Sequence, residues 1–110
     1  MSDLYKALCD TVKQVPAGRV ATYGQIARLS AYPHHSRFVS KAMIASHETL
    51  PWHRILNAQG KSSVSGELHN EQFDRLAEEG VENVAGKVDL KRYQWDPVFD
   101  GMLNEWVGEP

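Results

Sequence analysis

Two short helices joined by a tight turn are predicted by residues 22–45, which read TYGQIARLSAYPHHSRFVSKAMIA. Thr22 is followed three residues later by Gln25, the spacing of a capping box, in which side chains satisfy the free backbone N–H groups at the start of a helix. A helix should therefore begin at Tyr23. It should end near Ser30, because the following turn contains a proline, which disfavours helical backbone in the residue before it.

The second helix of the pair should run from Arg37 to about Ala45, with Ser36 as its cap. Its inward face is formed by apolar side chains at helical spacing, namely Val39, Ala42 and Met43. Two helices with so short a connection are typical of a helix-turn-helix, a motif found in many DNA-binding proteins.

The flanking segments predict a further helix and a small hairpin. Leucine and valine recur at helical spacing from about Ser2 to Gln14, and Pro16 ends that pattern. His53–Asn57 and Lys61–Val64, separated by a turn-rich segment, predict two strands paired as a hairpin. A hairpin that follows a helix-turn-helix would be a wing.

The C-terminal half predicts one more helix and one strand. Asn70 is a suitable cap for a helix over Glu71–Glu79, and a strand is expected near Asp89–Tyr93. Together the elements predict an α+β, mostly α, fold. It would be a winged-helix-like DNA-binding domain over residues 1–95, followed by a C-terminal tail at residues 96–110.

Charge is distributed unevenly along the 110 residues, whose net charge is −2. Residues 13–61 hold seven lysines and arginines and a single acid, so the middle of an acidic chain is basic. This pattern predicts a surface that faces a polyanion, although charges clustered by chance on solvated faces are the alternative. The lone Cys9 cannot form an internal disulfide and is expected to be a small buried side chain in a cytoplasmic protein. No apolar run is long enough to predict a membrane span.

Four motifs, in order along the chain, resemble the DNA-binding half of the O⁶-alkylguanine-DNA alkyltransferases. Residues 16–27 (PAGRVATYGQIA) resemble its start, and residues 36–43 (SRFVSKAM) resemble its recognition helix. Residues 51–55 (PWHRI) resemble the active-site signature Pro-Cys-His-Arg-Val/Ile, with Trp52 in the position of the cysteine. Glu79 resembles the glutamate that a helix end supplies to the family's site. A short chain with Pro-Trp-His-Arg is the mark of the alkyltransferase-like proteins.

This resemblance implies a protein that flips a damaged guanine out of duplex DNA. Tyr23 matches the tyrosine that presses on the backbone beside the flipped nucleotide, and Arg37 matches the arginine that takes the place of the base in the stack. From the residues alone, a core tyrosine and a phosphate-contacting arginine are the alternatives. The implied lesion pocket holds Tyr23, Trp52, His53 and Arg54. The implied DNA-binding surface holds Thr22, Tyr23, Gln25, Ser36, Arg37, Ser40 and Lys41.

Trp52 separates a sensor from an enzyme. Alkyl transfer needs a thiolate, and an indole offers no comparable nucleophile, so we expect no enzymatic activity. His53 and Glu79 match the relay that activates the thiol in the family, and here they would remain as a scaffold. We expect no metal and no cofactor, because the histidines at 34, 35 and 47 have no cysteine or carboxylate at ligand spacing.

The sequence departs from the family in two places. The spacer from Arg37 to Trp52 is slightly shorter than in typical members, and the loop at residues 62–67 lacks the family's lid tyrosine. These departures concern the preference among lesions more than the binding of DNA.

Three functions stay open on the sequence alone. The first is a monomeric sensor that binds O⁶-alkylguanine in duplex DNA through the minor groove and flags it for nucleotide excision repair. The second is an enzyme that removes the alkyl group by a route without cysteine. The third is a winged-helix regulator with sequence-specific sites, which would usually bind as a dimer. The order of the motifs favours the first.

Overall fold

The helix-turn-helix pair packs on the N-terminal helix. The structure is a computed structural model, and it describes residues 2–100. α1 (Asp3–Gln14) follows Ser2, whose hydroxyl accepts the N–H of Tyr5 at 3.2 Å. The buried face of α1 includes Leu8, Cys9 and Val12. The predicted first helix is confirmed, and its buried face packs against both helices of the helix-turn-helix.

α2 (Tyr23–Leu29) begins where the capping box predicts. The Thr22 hydroxyl accepts the N–H of Gln25 at 3.1 Å. The reciprocal bond of the box is not made, because the Gln25 amide donates to the carbonyl of Trp95 and accepts from the side chain of Gln94. Gln25 therefore ties α2 to the C-terminal segment.

α3 (Phe38–Ala45) begins one residue later than predicted. Arg37 occupies its N-cap position without a side-chain hydrogen bond, so the predicted capping role of Ser36 is wrong. The reason lies in the backbone. The N–H groups of the first two helical residues donate to the carbonyls of His35 and Ser36, at 3.0 and 3.2 Å, and need no side-chain cap.

A small parallel sheet joins two distant parts of the chain. β1 (Ala21–Thr22) pairs with β2 (Ile55–Leu56), with Ala21 opposite Ile55. A 3₁₀ turn at Trp52–Arg54 leads directly into β2. Both residues of β2 are fully buried, as expected for a parallel strand that is covered on both faces.

The predicted pairing of the wing strands is wrong. Lys61–Val64 forms no strand opposite β2, whose partner is β1. Local hydrogen bonds shape the segment instead, since the Asn57 side chain accepts the N–H of Lys61 at 2.9 Å and the Ser62 hydroxyl accepts the N–H of Val64 at 3.1 Å. Lys61 instead forms an isolated antiparallel bridge with Lys87. The small hairpin lies later in the chain, where β3 (Asn83–Val84) pairs with β4 (Lys87–Val88).

α4 (Glu67–Glu78) begins four residues before the predicted start. Gly66 occupies its N-cap position with φ +64°, and Asn70 lies inside the helix, so the predicted cap is wrong. Glutamate and leucine are good helix formers, and they extend the helix back to the glycine. The longer helix brings Leu68 onto the same element as the predicted core residues.

α5 (Leu90–Tyr93) replaces the strand predicted near its position. The Asp89 carboxylate accepts a backbone N–H group two residues further on at 3.0 Å, a cap that favours a helical turn. Trp95 follows and is only 7% exposed. Its backbone N–H donates to the carbonyl of Val20 at 2.7 Å. The predicted domain boundary at residue 95 stays a prediction. Of the predicted tail, residues 101–110 lie outside the described residues.

Two hydrophobic clusters hold these elements together. The first lies among α1, α2 and α3 and includes Leu8, Val12, Ile26 and Val39. The second is built on β2, α4 and β4 and includes Leu56, Leu76, Val81 and Val88. In the described part of the chain, no helix combines the length and the apolar character needed to cross a membrane.

Candidate nucleic-acid interface

A cavity of about 450 Å³ opens between α2, α3, α4 and the turn that precedes β2; we call it the Trp52 cavity. Tyr23, the first residue of α2, and the half-buried ring of Trp52 both line it. Five of its other ten lining side chains are apolar, namely Met43, Ile44, Leu50, Val64 and Leu68. A concave, mostly apolar site with two aromatic rings suits a flat ligand.

Two cations lie near the start of α3, and one of them, Arg37, lies beside this cavity. Arg37 is exposed and lines a smaller groove together with Tyr23 and Ser40, which also line the Trp52 cavity. The Arg37 guanidinium carbon lies 5.8 Å from the ring centroid of Phe38, and the Lys41 ammonium lies 5.2 Å from the same centroid. This end of α3 therefore presents positive charge next to the cavity mouth.

A second group of polar side chains, which we call the Glu79 network, is built on the two residues after the cavity tryptophan. The Glu79 carboxylate accepts from His53 Nε2 at 2.8 Å and from Arg54 Nε and Nη2 at 3.0 and 2.7 Å. It also accepts the N–H of Gly18 at 3.2 Å, and Arg54 Nη1 donates to the carbonyl of Val15 at 2.8 Å. The network thus fastens the turn to α4 and to the segment after α1.

The Glu79 network keeps its carboxylate ionised. Burial alone would raise the pKa of Glu79, but hydrogen bonds from Arg54, His53 and the Gly18 N–H group outweigh burial and lower the pKa to about 2. His53 is buried, and its Nδ1 has no hydrogen-bond partner within residues 2–100. With its other nitrogen bound to Glu79, His53 serves to hold the turn in place.

The structure divides the predicted pocket residues into two groups. Tyr23 and Trp52 line the Trp52 cavity, whereas His53 and Arg54 face Glu79 and lie outside the cavity lining. Two of the four predicted pocket residues thus line the cavity, and two do not. The physical reason is the partly buried carboxylate of Glu79, which accepts hydrogen bonds from both side chains.

The predicted DNA-binding surface is also only partly assembled. Four of its residues lie together on α3 or just before it, namely Ser36, Arg37, Ser40 and Lys41. Thr22 and Gln25 do not join them. Thr22 is buried as the cap of α2, and the Gln25 amide is bonded to the C-terminal segment, away from α3.

One face of α4 supplies cavity residues that the sequence pattern did not reveal. Leu68, Gln72 and Arg75 all line the Trp52 cavity, and their spacing of four and three residues places them on one helix face. The helical spacing of these three residues is visible in the sequence, but a helix predicted to begin at residue 71 excludes Leu68 from that face. The guanidinium carbon of Arg75 lies 5.8 Å from the ring centroid of Trp52.

The Trp52 cavity has no thiol in its lining. Cys9 lies in the first cluster, where its Sγ donates to the carbonyl of Ala42 at 3.4 Å and burial raises the pKa of the thiol. A neutral, shielded thiol is a poor nucleophile. Within residues 2–100, histidine, cysteine and carboxylate side chains do not gather in the groups of three that a metal site would need.

Known proteins resemble this chain in sequence. The sequence profile described as 6-O-methylguanine DNA methyltransferase, DNA binding domain, matches residues 3–81. Alkyltransferase-like protein 1 of Schizosaccharomyces pombe is 42% identical over 106 residues, which cover 88% of this chain and 98% of that protein. This chain belongs to the alkyltransferase-like family. The DNA base-flipping protein of Vibrio parahaemolyticus is 40% identical to this alkyltransferase-like chain over 89 residues, or 78% of this chain and 89% of the relative.

Solved structures share the fold of this alkyltransferase-like chain. S. pombe Atl1, crystallised with damaged DNA containing O6-carboxymethylguanine, matches it with a TM-score of 0.78 and 38% identity over 88% of this chain and 98% of that one. The O6-methylguanine methyltransferase of Mycobacterium tuberculosis matches with a TM-score of 0.64 and 26% identity over 83% of this chain and 55% of that one. The predicted fold class is confirmed.

Proposed function

We propose that this protein binds duplex DNA containing an O⁶-alkylguanine and holds the flipped base in the Trp52 cavity without transferring its alkyl group. The cavity carries the proposal, because Tyr23 and Trp52 line a mostly apolar space of about 450 Å³. Sites for small ligands typically measure roughly 300–1,000 Å³. An alkylated guanine is flat and partly apolar, and stacking of a base on an aromatic side chain contributes about 1–3 kcal/mol.

In this proposal Arg37 fills the gap that the flipped base leaves in the duplex. Its guanidinium is planar, always charged and exposed beside the cavity mouth, so it can stack on the neighbouring bases and donate hydrogen bonds. Lys41 would contact phosphates on the same side of α3. Ser36 and Ser40 are small enough for the helix to approach a narrow minor groove.

The absence of alkyl transfer follows from the groups that would face the lesion. Trp52 offers an indole N–H and no nucleophile, and Cys9 lies in the first cluster instead of the cavity lining. His53 is engaged with Glu79, which leaves it in a positioning role. We expect the lesion to leave the complex with its alkyl group intact.

Three further parts of the proposal come from the resemblance and from the sequence. The bound complex would be marked for nucleotide excision repair, as the resemblance implies. The protein would act as a monomer, since one chain supplies every residue of the cavity. It would work in the cytoplasm, which the lone unpaired cysteine favours.

Fluorescence anisotropy with two matched duplexes tests the proposal. One duplex carries O⁶-methylguanine, the other carries guanine, and each is titrated at two salt concentrations. We expect tighter binding to the lesion and weaker binding at high salt, because the cations of α3 displace counterions. Mass spectrometry of the DNA and the protein after incubation should show an intact lesion and an unmodified chain.

A pair of variants with equal change in net charge provides the control. Arg37→Ala should weaken binding to the lesion roughly tenfold or more, since a base-stacking group is lost. Lys87→Ala, at the exposed residue of β4 and outside the cavity lining, should bind as the wild type does. Equal affinity of the wild type for both duplexes would contradict lesion recognition and favour a sequence-specific regulator. Loss of the methyl group would contradict the absence of chemistry.

A further inference from the structure

Arg75 places a positive charge in the wall of an otherwise mostly apolar cavity. It projects from α4 into the lining of the Trp52 cavity, and its guanidinium carbon lies 5.8 Å from the centroid of the Trp52 ring. A cation over an aromatic face is held in a defined orientation. Arg75 is therefore positioned to meet a substituent that rests on Trp52.

The guanidinium of Arg75 still has donors to offer. Its nearest carboxylate oxygen, on Glu71, lies 3.6 Å from Nη2, which is too long for a hydrogen bond. Glu48 also lines the cavity and would repel an anion, but its carboxylate is already paired with Lys13. Arg75, which makes a long ion pair with Glu71 and no hydrogen bond to it, is therefore the cationic group that a substituent inside the cavity would meet.

We propose that Arg75 is a specificity-determining residue, which selectively stabilises O⁶ adducts that carry a carboxylate over adducts of the same shape that are neutral. This inference rests on the proposed function, since it concerns the group attached to the flipped base. A carboxylate would receive two parallel N–H donors from the guanidinium, a geometry that neither the apolar walls nor a lysine reproduces. A neutral amide of the same size would fit the cavity equally well but would carry no charge for Arg75 to pair with.

The test compares two duplexes that differ only in this charge. One carries O⁶-carboxymethylguanine, and the other carries its uncharged amide, O⁶-carbamoylmethylguanine. The readout is the ratio of the Kd for the amide to the Kd for the carboxylate. We expect Arg75→Gln to lower this ratio by about threefold to tenfold relative to the wild type. Lys87→Gln, with the same change in net charge, should leave it unchanged.

The ratio separates a specific contact from general effects, because a change in folding or in phosphate attraction alters both affinities together. Arg75→Lys, which keeps the charge and loses the fork of donors, should give an intermediate ratio. An unchanged ratio in Arg75→Gln would overturn the inference. If the amide duplex still binds more tightly than an unmodified duplex, the proposed function survives that outcome. If neither adduct is preferred over guanine, the proposed function itself has failed.

Discussion

Trp52 and the two residues after it point to different parts of the molecule. The indole lines the cavity and faces Arg75, while His53 and Arg54 reach Glu79. A tight 3₁₀ turn makes this possible, because successive side chains project about 120° apart around its axis. The cavity wall can therefore change at position 52 without disturbing the Glu79 network.

Substitution of Trp52 should separate binding from stability. We expect Trp52→Ala to weaken binding to the O⁶-methylguanine duplex by roughly tenfold or more, since the stacking surface is lost. Binding to the unmodified duplex should change little. The ring is half-buried, so the melting temperature should fall by only a few degrees. Trp52→Phe, which keeps an aromatic face, should bind with intermediate affinity. An equal loss on both duplexes would show that the ring does not contact the lesion.

A pair of glycines tests the packing of β4 at single-residue resolution. Gly60 has φ +77°, and a Cβ atom there would lie 2.3 Å from the carbonyl oxygen of Val88. We expect Gly60→Ala to destabilise the protein by about 2–4 kcal/mol, from backbone strain together with this clash. Gly86 has φ +80° and open space around it, so Gly86→Ala should cost about 1 kcal/mol. Denaturant unfolding measures the free energy of unfolding of both variants, and an equal loss of stability in the two would refute the clash at Gly60.

At the scale of elements, the helices with strong local signals were predictable and the small strands were not. The Ser2 and Thr22 caps and the apolar stripe of α1 lie within a few residues of one another, so they can be read from the sequence. The pairing of β1 with β2 depends on residues more than thirty positions apart. Two-residue strands carry no periodic pattern of their own, and the predicted wing therefore took the wrong partner.

In the candidate site, too, residues in local motifs were predictable, and residues placed there by long-range packing were not. Tyr23, Arg37 and Trp52 were identified because each lies in a contiguous motif that resembles the family. Arg75 was not identified, since its place in the cavity lining depends on how α4 lies against the turn before β2, which no local pattern specifies. The burial of the Gln25 side chain was missed for the same reason, because its hydrogen-bond partner, the carbonyl of Trp95, is seventy positions away.

The register of β1 and β2 leads to a prediction about the segment between α3 and the 3₁₀ turn. Tyr23 follows β1 and Trp52 lies just before β2, so the strand pair sets the distance between them. Two residues inserted after the exposed His47 should change the affinity for the lesion by less than about threefold, because lengthening a surface loop costs little. One residue inserted between Ile55 and Leu56 should abolish binding, as it shifts the register. Anisotropy titrations of the two variants give the answer, and equal tolerance would refute a positioning role for the sheet.

For the whole molecule, the Glu79 network connects parts of the chain that belong to different clusters. Val15 lies in the first cluster, and α4 contributes Leu76 to the second. Arg54 contacts the carbonyl of Val15 and the carboxylate of Glu79 at once. Loss of the Glu79 carboxylate should therefore destabilise the 3₁₀ turn at Trp52–Arg54 and also weaken the contact between the two hydrophobic clusters.

Acid should reveal the contribution of Glu79 to stability. Its pKa in the folded protein, about 2, lies below the ordinary value of 4.5, so folding stabilises the ionised form. This contribution is complete above about pH 4.5 and is lost as the pH falls toward 2. Glu79→Gln should lower the free energy of unfolding at pH 7 by up to about 3 kcal/mol and should flatten its decline between pH 5 and 2. Denaturant unfolding over this range measures both quantities, and an unchanged decline would refute the assignment.

The position of Trp52 also gives the protein an optical reporter. The chain has three tryptophans, and of the two in the described part, Trp95 is 7% exposed within the first cluster whereas Trp52 is half-buried in the cavity wall. A purine stacked on Trp52 would quench its fluorescence and leave the emission of Trp95 nearly constant. Stopped-flow mixing could then follow the arrival of the base in real time, on unlabelled protein and DNA, and separate it from the earlier encounter with the duplex.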